Sequence, residues 1–201
     1  MPGRTESLRA FIALELSEEV RRRAARMQAR LQAECMGWRW VRAENMHLTL
    51  FFLGSVERDR LEAVFAAVDA AAAAVEPFSF EVGGLGTFGP RSNPRVLWVG
   101  VQEKSGRLSL LYESLAERLE KLGFEREDRP FRPHITLARA KSGGSRRHPD
   151  TVPLGREGEE LGRVEARRVV VMRSILEPGG AVYSMLHQSP MKGVGGHGDV
   201  G

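Results

Sequence analysis

The sequence is poor in several features that would assign the chain to common classes. It has one cysteine, Cys35, in 201 residues, which excludes an internal disulfide framework and a metal site built from cysteines. It has no apolar run of about eighteen residues or more, so no membrane span is expected. The first residues carry charges where a signal peptide would need an apolar centre. A reducing cytoplasm is therefore the expected location.

Charge of either sign is not strongly in excess. The sequence has 30 basic and 26 acidic residues, which gives a net charge of +4. Most of the basic residues are arginines, whose planar guanidinium suits phosphate, but a GC-rich genome produces the same bias without any function. The apolar content of 42% is enough for a core in one large domain or two small lobes. Composition alone leaves a nucleic-acid partner open.

Strand-like and helix-like segments alternate along the chain without a long βαβ series, which favours an α+β fold with mainly antiparallel sheets. Apolar residues at helical spacing follow Ser17, a suitable N-cap, and predict a helix over 18–34. A strand over 78–82 is expected to end in the glycine-rich loop GGLGTFG. Near the end of the chain, 164–176 and 182–186 are expected to form a closing hairpin.

Two copies of one four-residue pattern, HLTL and HITL, begin at His47 and His134. Residues i and i+2 of a strand project to the same face. His47 therefore projects with Thr49, and His134 projects with Thr136, while the leucines and the isoleucine face the core. If the two strands lie in facing lobes, two imidazoles and two hydroxyls meet in one cleft.

This set of groups suits acid–base chemistry at a phosphate. Histidine transfers protons near neutral pH, two histidines can act as a matched acid and base, and threonine hydroxyls can hold phosphate oxygens. The motifs have no carboxylate cluster beside them, so neither a metal nor another cofactor is expected. The plain alternative is a pair of unrelated structural strands whose histidines lie far apart.

The chain resembles the two-histidine phosphoesterases, and among them the RNA 2′,3′-cyclic phosphodiesterases, also called 2′-5′ RNA ligases. The resemblance covers almost everything before the C-terminal tail. It is carried by the following segments: LRAFIAL (8–14), ENMHLTLFFLG (44–54), GLGTFG (84–89), PRVLWVGV (94–101), GFEREDRPFRPHITLAR (123–139) and SILEPGGAVYSML (174–186).

The resemblance implies a bilobal fold of two mainly antiparallel sheets with flanking helices, related by a pseudo-two-fold axis through a central cleft. It implies one catalytic domain over 1–188, formed by an internal duplication with one motif in each half. A disordered tail over 189–201 is expected from its composition. Nothing in the sequence suggests more than a monomer.

The resemblance also implies an activity and residue roles. The expected reaction is metal-independent hydrolysis of RNA ends bearing a 2′,3′-cyclic phosphate to 2′-phosphomonoesters. His134 would be the proton acceptor, His47 the proton donor, and Thr49 and Thr136 the phosphate-binding residues. Ligation of 2′-5′ ends would be the same chemistry in reverse, without ATP.

Two other functions stay open at the level of the sequence. The same chemistry can act on a small cyclic phosphate, such as a cyclic nucleotide or an ADP-ribose cyclic phosphate. A module that binds RNA ends without turnover would also use the cleft, and it predicts tight binding with no product. Kinetics on RNA and mononucleotide substrates would distinguish these functions.

Three further residues are candidate substrate contacts. Phe51 falls on the face of Thr49 if the strand alternates regularly, where it would either stack on a base or line the cleft. Arg139 falls on the core face, and since burying a lone arginine is costly, a strand end or a bulge is predicted there. Arg132 shares the face of His134. Each arginine is either a phosphate ligand or part of a surface ion pair, and the basic loop 141–150 either contacts RNA or is solvated.

Overall fold

A computed structural model describes residues 6–90, 92–141, 159–178 and 180–192. No helix in these ranges is both long and apolar enough to cross a membrane. The helices are α1 (Glu18–Glu34), α2 (Leu61–Ala73) and α3 (Arg107–Lys121). The strands are β1 (Ser7–Glu15), β2 (Trp38–Trp40), β3 (His47–Glu57), β4 (Phe78–Phe88), β5 (Val96–Gln102), β6 (His134–Ala140), β7 (Glu160–Ala166), β8 (Arg168–Glu177) and β9 (Gly180–Pro190).

The strands form two antiparallel half-sheets that meet at the motif strands. The order is β7-β4-β5-β6-β3-β1-β8-β9, and β2 pairs with the outer part of β6. The two halves are joined by one backbone pair, Leu48 with Ile135. The predicted α+β fold with two antiparallel sheets around a central cleft is confirmed, with the added finding that the two sheets are continuous through this pair.

One face of the sheet is covered by the helices and carries the main core. In β1 the side chains of Ile12 and Leu14 belong to this core, together with Met27 and Leu31 of α1. Helix α1 begins as predicted, because the Ser17 hydroxyl accepts a hydrogen bond from the backbone N–H of Val20. The opposite face of the sheet is therefore left to form the cleft.

The glycine-rich segment after residue 82 is not a loop, and this prediction was wrong. Strand β4 continues to Phe88 and pairs with β5 from Glu81 to Phe88. The ladder shifts register at Gly84, whose φ is +70°, a conformation that favours glycine. At Gly86 a side chain would collide with the ring of Trp98, since an added Cβ would lie 2.3 Å from ring atoms. The glycines serve close packing within the sheet.

The C-terminal segment also differs from the prediction in two respects. The expected single strand over 164–176 is divided at Arg167, because β7 pairs with β4 in one half-sheet whereas β8 pairs with β1 in the other. The hairpin around EPGG is formed by β8 and β9. The ordered chain passes the expected boundary at 188, since Ser189 and Met191 are buried. The rest of the expected tail, 193–201, and the loop residues 142–158 lie outside the described residues.

Candidate active site

The two motifs lie side by side on neighbouring strands at the junction of the half-sheets. Leu48 pairs with Ile135 in antiparallel register. In an antiparallel register, one step forward on one strand is one step back on the other. The positions next to this pair are therefore His47 opposite Thr136 and Thr49 opposite His134. This register places the four polar side chains of the motifs on the face of the sheet that the helices leave open.

Each motif strand contains a β-bulge immediately after its threonine. Between β1 and β3, Thr49 pairs with Ala13 and Phe51 pairs with Ile12, which leaves Leu50 without a partner. Between β5 and β6, the register passes from Thr136 to Ala138 and skips Leu137. The last leucine of each HxTL motif is thus the bulged residue, and the inside–outside alternation reverses after it.

The reversed alternation determines which of the side chains after each threonine face the cleft. Phe51 has only 4% of its surface exposed and packs in the main core, whereas Phe52 is 51% exposed and contacts Phe11 on the cleft face. The expectation that Phe51 shares the face of Thr49 was wrong, because Leu50 shifts the alternation. Phe51 still borders the cavity on the His134 side from its position in the core. The bulge predicted near Arg139 is confirmed, and this exposed residue lines the cleft.

Both imidazoles are held in the same way by the backbone two residues earlier. The Nδ1 atom of His47 lies 2.7 Å from the carbonyl oxygen of Asn45, and that of His134 lies 2.7 Å from the carbonyl oxygen of Arg132. A carbonyl only accepts hydrogen bonds, so both Nδ1 atoms carry the proton. In each neutral ring, Nε2 is therefore the atom with a free lone pair for proton transfer.

Aromatic rings fix the orientation of each imidazole. Phe11 stacks on His47 with centroids 4.6 Å apart, and Tyr183 approaches the same imidazole edge-on at 5.5 Å. Phe88 meets His134 edge-on at 4.8 Å. Sequence reasoning assigned no role to these aromatic residues, although the resemblance included the segments that contain them. An aromatic residue on the cleft face of a strand is the sequence feature that would have indicated them.

Burial and neighbouring charge keep both histidines neutral in the unliganded protein. Burial lowers the pKa of His47 from 6.5 to about 4, and the hydrogen bond to Asn45 opposes part of this effect. The charges of Arg139 and His134 lower it further. Burial is also the main cause of the lowered pKa of His134, to which Arg139 contributes again. The Arg139 guanidinium therefore acts electrostatically on both imidazoles.

The cleft consists of two cavities that meet at four shared residues. One cavity, of about 690 Å³, lies on the His134 side and is lined by Arg132, Phe88 and Phe131, among others. The second cavity, of about 820 Å³, lies on the His47 side. The two cavities share Thr49, Phe52, Thr136 and Arg139. The predicted site residues are thus brought to one place, with the two threonines between the histidines.

The cleft is richer in cations than in carboxylates. Glu125 and Glu127 line the cavity on the His134 side, and Glu177 lines the other. Arg9 and Arg39 line the cavity on the His47 side, and sequence reasoning assigned neither a role. Within the described residues, no three His, Cys, Asp or Glu side chains are grouped so that they could hold a metal ion.

Comparison with known proteins identifies relatives along almost the whole chain. The family model described as LigT-like phosphoesterase matches residues 14–98 and 99–183, so each match contains one motif. An RNA 2′,3′-cyclic phosphodiesterase of Thermotoga maritima is 36% identical over 92% of this chain and 97% of the relative. The protein with the same description from Archaeoglobus fulgidus is 33% identical over 89% of this chain and 98% of the relative.

Solved structures agree with the match. A protein of Thermus thermophilus superimposes with a TM-score of 0.78 at 31% identity, covering 94% of this chain and all (100%) of that one. Escherichia coli LigT complexed with 3′-AMP gives a TM-score of 0.74 at 26% identity, covering 92% of this chain and 99% of that one. By its sequence and by its fold, the chain belongs to the LigT-like phosphoesterase family.

Proposed function

We propose that the protein hydrolyses 2′,3′-cyclic phosphates at RNA ends to 2′-phosphomonoesters, using a pair of histidines as acid and base. The observation that carries this proposal is the pairing of the two HxT motifs across one antiparallel junction, with both Nδ1 atoms held by backbone carbonyls. The relatives described as RNA 2′,3′-cyclic phosphodiesterases support the substrate class.

The reaction needs one proton removed and one proton delivered on opposite sides of the phosphorus. His134 Nε2 takes a proton from water as the water oxygen forms a bond to phosphorus. The bond from phosphorus to the 3′ oxygen breaks, and that oxygen takes a proton from His47 Nε2. The hydroxyls of Thr49 and Thr136 hold the non-bridging oxygens, and Arg139 offsets their charge.

The role of His47 as acid couples its protonation to substrate binding. At neutral pH its lowered pKa leaves the imidazole unprotonated in the unliganded protein. A negatively charged phosphate close to the ring favours the charged form and raises the pKa. His134 needs no such change, since its lowered pKa leaves it neutral and ready to accept a proton. Both imidazoles are neutral in the unliganded protein, so the assignment of His134 as base and His47 as acid rests on the family resemblance.

Ligation uses the same residues with a different nucleophile. A 5′-hydroxyl of a second RNA takes the place of water at His134 and attacks the cyclic phosphate. The product is a 2′-5′ phosphodiester, and no nucleotide triphosphate is consumed because the strained ring supplies the activated phosphate. Such a strand would enter through the cavity on the His134 side.

The test is hydrolysis of an oligonucleotide ending in a 2′,3′-cyclic phosphate, in the presence of EDTA. His47→Ala and His134→Ala should each lower kcat by about 10²–10⁴-fold, the usual contribution of a general acid or base. Thr49→Val and Thr136→Val should also lower kcat/KM. His187→Ala is the matched control, since His187 pairs with Asp69 and stacks on Phe65 away from the cleft.

The mechanism fails if either motif variant keeps wild-type activity while its circular dichroism shows a folded protein. It also fails if EDTA abolishes activity and a divalent metal restores it. A wild-type protein that binds the cyclic-phosphate end tightly but yields no product would instead identify a binding module.

A second candidate is the same chemistry on a cyclic mononucleotide. The observation that favours it is the structure of Escherichia coli LigT complexed with 3′-AMP, a single nucleotide bound to a relative of the same fold. The ratio of kcat/KM for a cyclic mononucleotide to that for a cyclic-phosphate oligonucleotide measures which substrate the cleft prefers.

A further inference from the structure

The cavity on the His47 side contains two arginines in direct opposition. Arg39 of β2 pairs with Arg139 of β6 in antiparallel register, and both side chains line this cavity. Directly opposed residues of neighbouring strands have Cβ atoms about 4.5–5.5 Å apart. Like charges at that distance destabilise a sheet unless an anion lies between them.

Nothing among the described residues neutralises this pair. Arg39 and Arg139 form no ion pair with any described carboxylate. The carboxylate that lines the same cavity is Glu177, and it is not bonded to either arginine. The arrangement therefore costs stability in the unliganded protein and favours the binding of an anion.

A third arginine extends the positive surface away from His47. Arg9 lies on β1 two residues from Phe11, the residue that stacks on His47. Two strand residues span about 6.6–6.8 Å, and both side chains line the same cavity. Arg9 is exposed and forms no ion pair with a described residue. The cavity thus contains arginines from β1 and β2 in addition to Arg139.

The proposed reaction fixes which part of a substrate would lie there. His47 protonates the 3′ oxygen of the terminal ribose, so that ribose lies on the His47 side. The rest of the substrate's own strand is attached to the 5′ carbon of the same ribose, through a phosphodiester. That strand must therefore leave the reaction centre through the cavity lined by Arg9 and Arg39.

We propose that Arg39 and Arg9 form a second phosphate site, which binds the phosphodiester preceding the terminal nucleotide. This inference rests on the proposed function and deepens it: the preferred substrate is an RNA end of at least two nucleotides, not a cyclic mononucleotide. Arg39 binds this phosphodiester, and Arg139 offsets the charge of the reacting phosphate. Two phosphates therefore account for the two adjacent like charges.

Three substrates and three variants test the site. The substrates are adenosine 2′,3′-cyclic phosphate, the dinucleotide ApA with a 2′,3′-cyclic phosphate, and the same dinucleotide with a neutral methylphosphonate between its nucleosides. The variants are Arg39→Gln, Arg9→Gln and the control Arg22→Gln. The control removes the same charge from an exposed position on α1, outside both cavities.

In the wild type, kcat/KM for the charged dinucleotide should exceed that for the neutral one by about tenfold, the effect of one charge-assisted hydrogen bond. In Arg39→Gln this ratio should fall towards one, and in Arg9→Gln it should fall partly. Arg22→Gln should keep the wild-type ratio. Higher salt should reduce the ratio in the wild type more than in Arg39→Gln.

Equal rates on charged and neutral dinucleotides in the wild type would overturn the inference. So would a ratio that survives in Arg39→Gln, or one that falls equally in Arg22→Gln. Binding of the product dinucleotide with a 2′-phosphate, measured by calorimetry, separates this inference from the proposed function. If no substrate is hydrolysed, the proposed function fails, while charge-dependent binding that Arg39→Gln weakens still supports the phosphate site.

Discussion

The imidazole of His47 is enclosed by aromatic rings and held by a backbone carbonyl. Phe11 and Tyr183 cover its ring, and the Asn45 carbonyl holds its Nδ1 proton. Asn45 is itself anchored, because its side-chain amide donates to the carbonyl of Ala181 at 2.7 Å. The position of this imidazole therefore depends on the β8–β9 hairpin as well as on its own strand.

The burial of His47 makes stability depend on pH. The pKa of His47 is about 4 in the folded protein and 6.5 in an exposed state. Between these values the unfolded chain binds the proton first, so the free energy of unfolding falls as pH falls from about 6.5 to 4. His47 should contribute roughly 3 kcal/mol to this loss at most. The shift of His134 acts in the same direction.

Urea unfolding followed by tryptophan fluorescence at pH 7 and pH 4 measures this effect. In His47→Gln the pH-dependent loss should be smaller than in the wild type by the contribution of this imidazole. If the free energy of unfolding depends on pH equally in the two proteins, the His47 imidazole does not cause the loss of stability. Inorganic phosphate should raise the His47 pKa, as measured by NMR of the ring protons.

At the residue scale, the sequence predicted the pair of histidines and threonines but not every neighbour. Regular alternation predicted correctly that His47 and Thr49 face the same side, because the bulge begins only after the threonine. It failed for Phe51, since the extra residue Leu50 has no signature in the sequence of the strand itself. The bulge near Arg139 was predicted correctly because a charged residue cannot be buried alone at low cost.

At the scale of elements, the helices and strands with clear periodicity were predicted well, and the glycine-rich strand was not. Helix α1 spans the predicted 18–34, since its apolar spacing and the Ser17 cap agree. Strand β4 was shortened to 78–82 because glycines ordinarily indicate a loop. Their reason is tertiary, because Trp98 from β5 occupies the space above Gly86.

The second bulge is supported from the core side by Gln28 of α1. Its side-chain amide donates to the carbonyls of Val41 and Leu137, at 2.7 and 2.9 Å, and Leu137 is the bulged residue. Gln28→Leu leaves these two acceptors without that donor, and unfolding should become easier by about 1–3 kcal/mol. Activity should fall too, since the bulge sets the direction of Thr136 and Arg139.

The exposed Gln32 on the same helix supplies the control for Gln28. Gln32→Leu should change the free energy of unfolding by less than about 0.5 kcal/mol and leave the kinetics as they are. Chemical denaturation and kcat/KM measured on both variants test the assignment. Equal effects of the two substitutions would contradict a specific role for the amide.

Gly86 and Trp98 form a close contact that positions His134. An alanine at position 86 would bring its Cβ within 2.3 Å of the Trp98 ring, which borders both Phe88 and His134. Gly86→Ala should therefore cost about 1–3 kcal/mol and lower kcat. Combining it with Trp98→Phe should cost less than the sum of the single changes. Additive losses in thermal unfolding would argue against this contact.

At the scale of the whole molecule, the C-terminal end of the described chain is part of the core. Met191 is buried, and its backbone N–H donates to the carbonyl of Arg167 at 2.9 Å. Truncation after Gln188 should therefore lower stability by about 1.5–3 kcal/mol for the lost methionine. Truncation after Lys192 keeps every described residue and is the control. Thermal unfolding by circular dichroism compares the two, and equal Tm values would place the domain boundary at 188.

The bilobal organisation was predicted by resemblance, whereas the path of the chain between the halves was not. The half-sheet of His134 contains β4, β5, β6 and β7, while the half-sheet of His47 combines β1 and β3 with the last strands, β8 and β9. Local patterns cannot reveal this exchange, because β7 and β8 are separated by a single residue, Arg167.

On the ribosome, the motif that is made first is therefore completed last. Strand β1 lacks its partner β8 while 153 residues are added (168 − 15 = 153), or roughly 8–30 s at about 5–20 residues per second. During that time one edge of β1 has no partner from its own chain, and open strand edges are where other chains attach. A chaperone or a neighbouring nascent chain would meet this protein at the β1 edge, beside the unfinished pocket of His47.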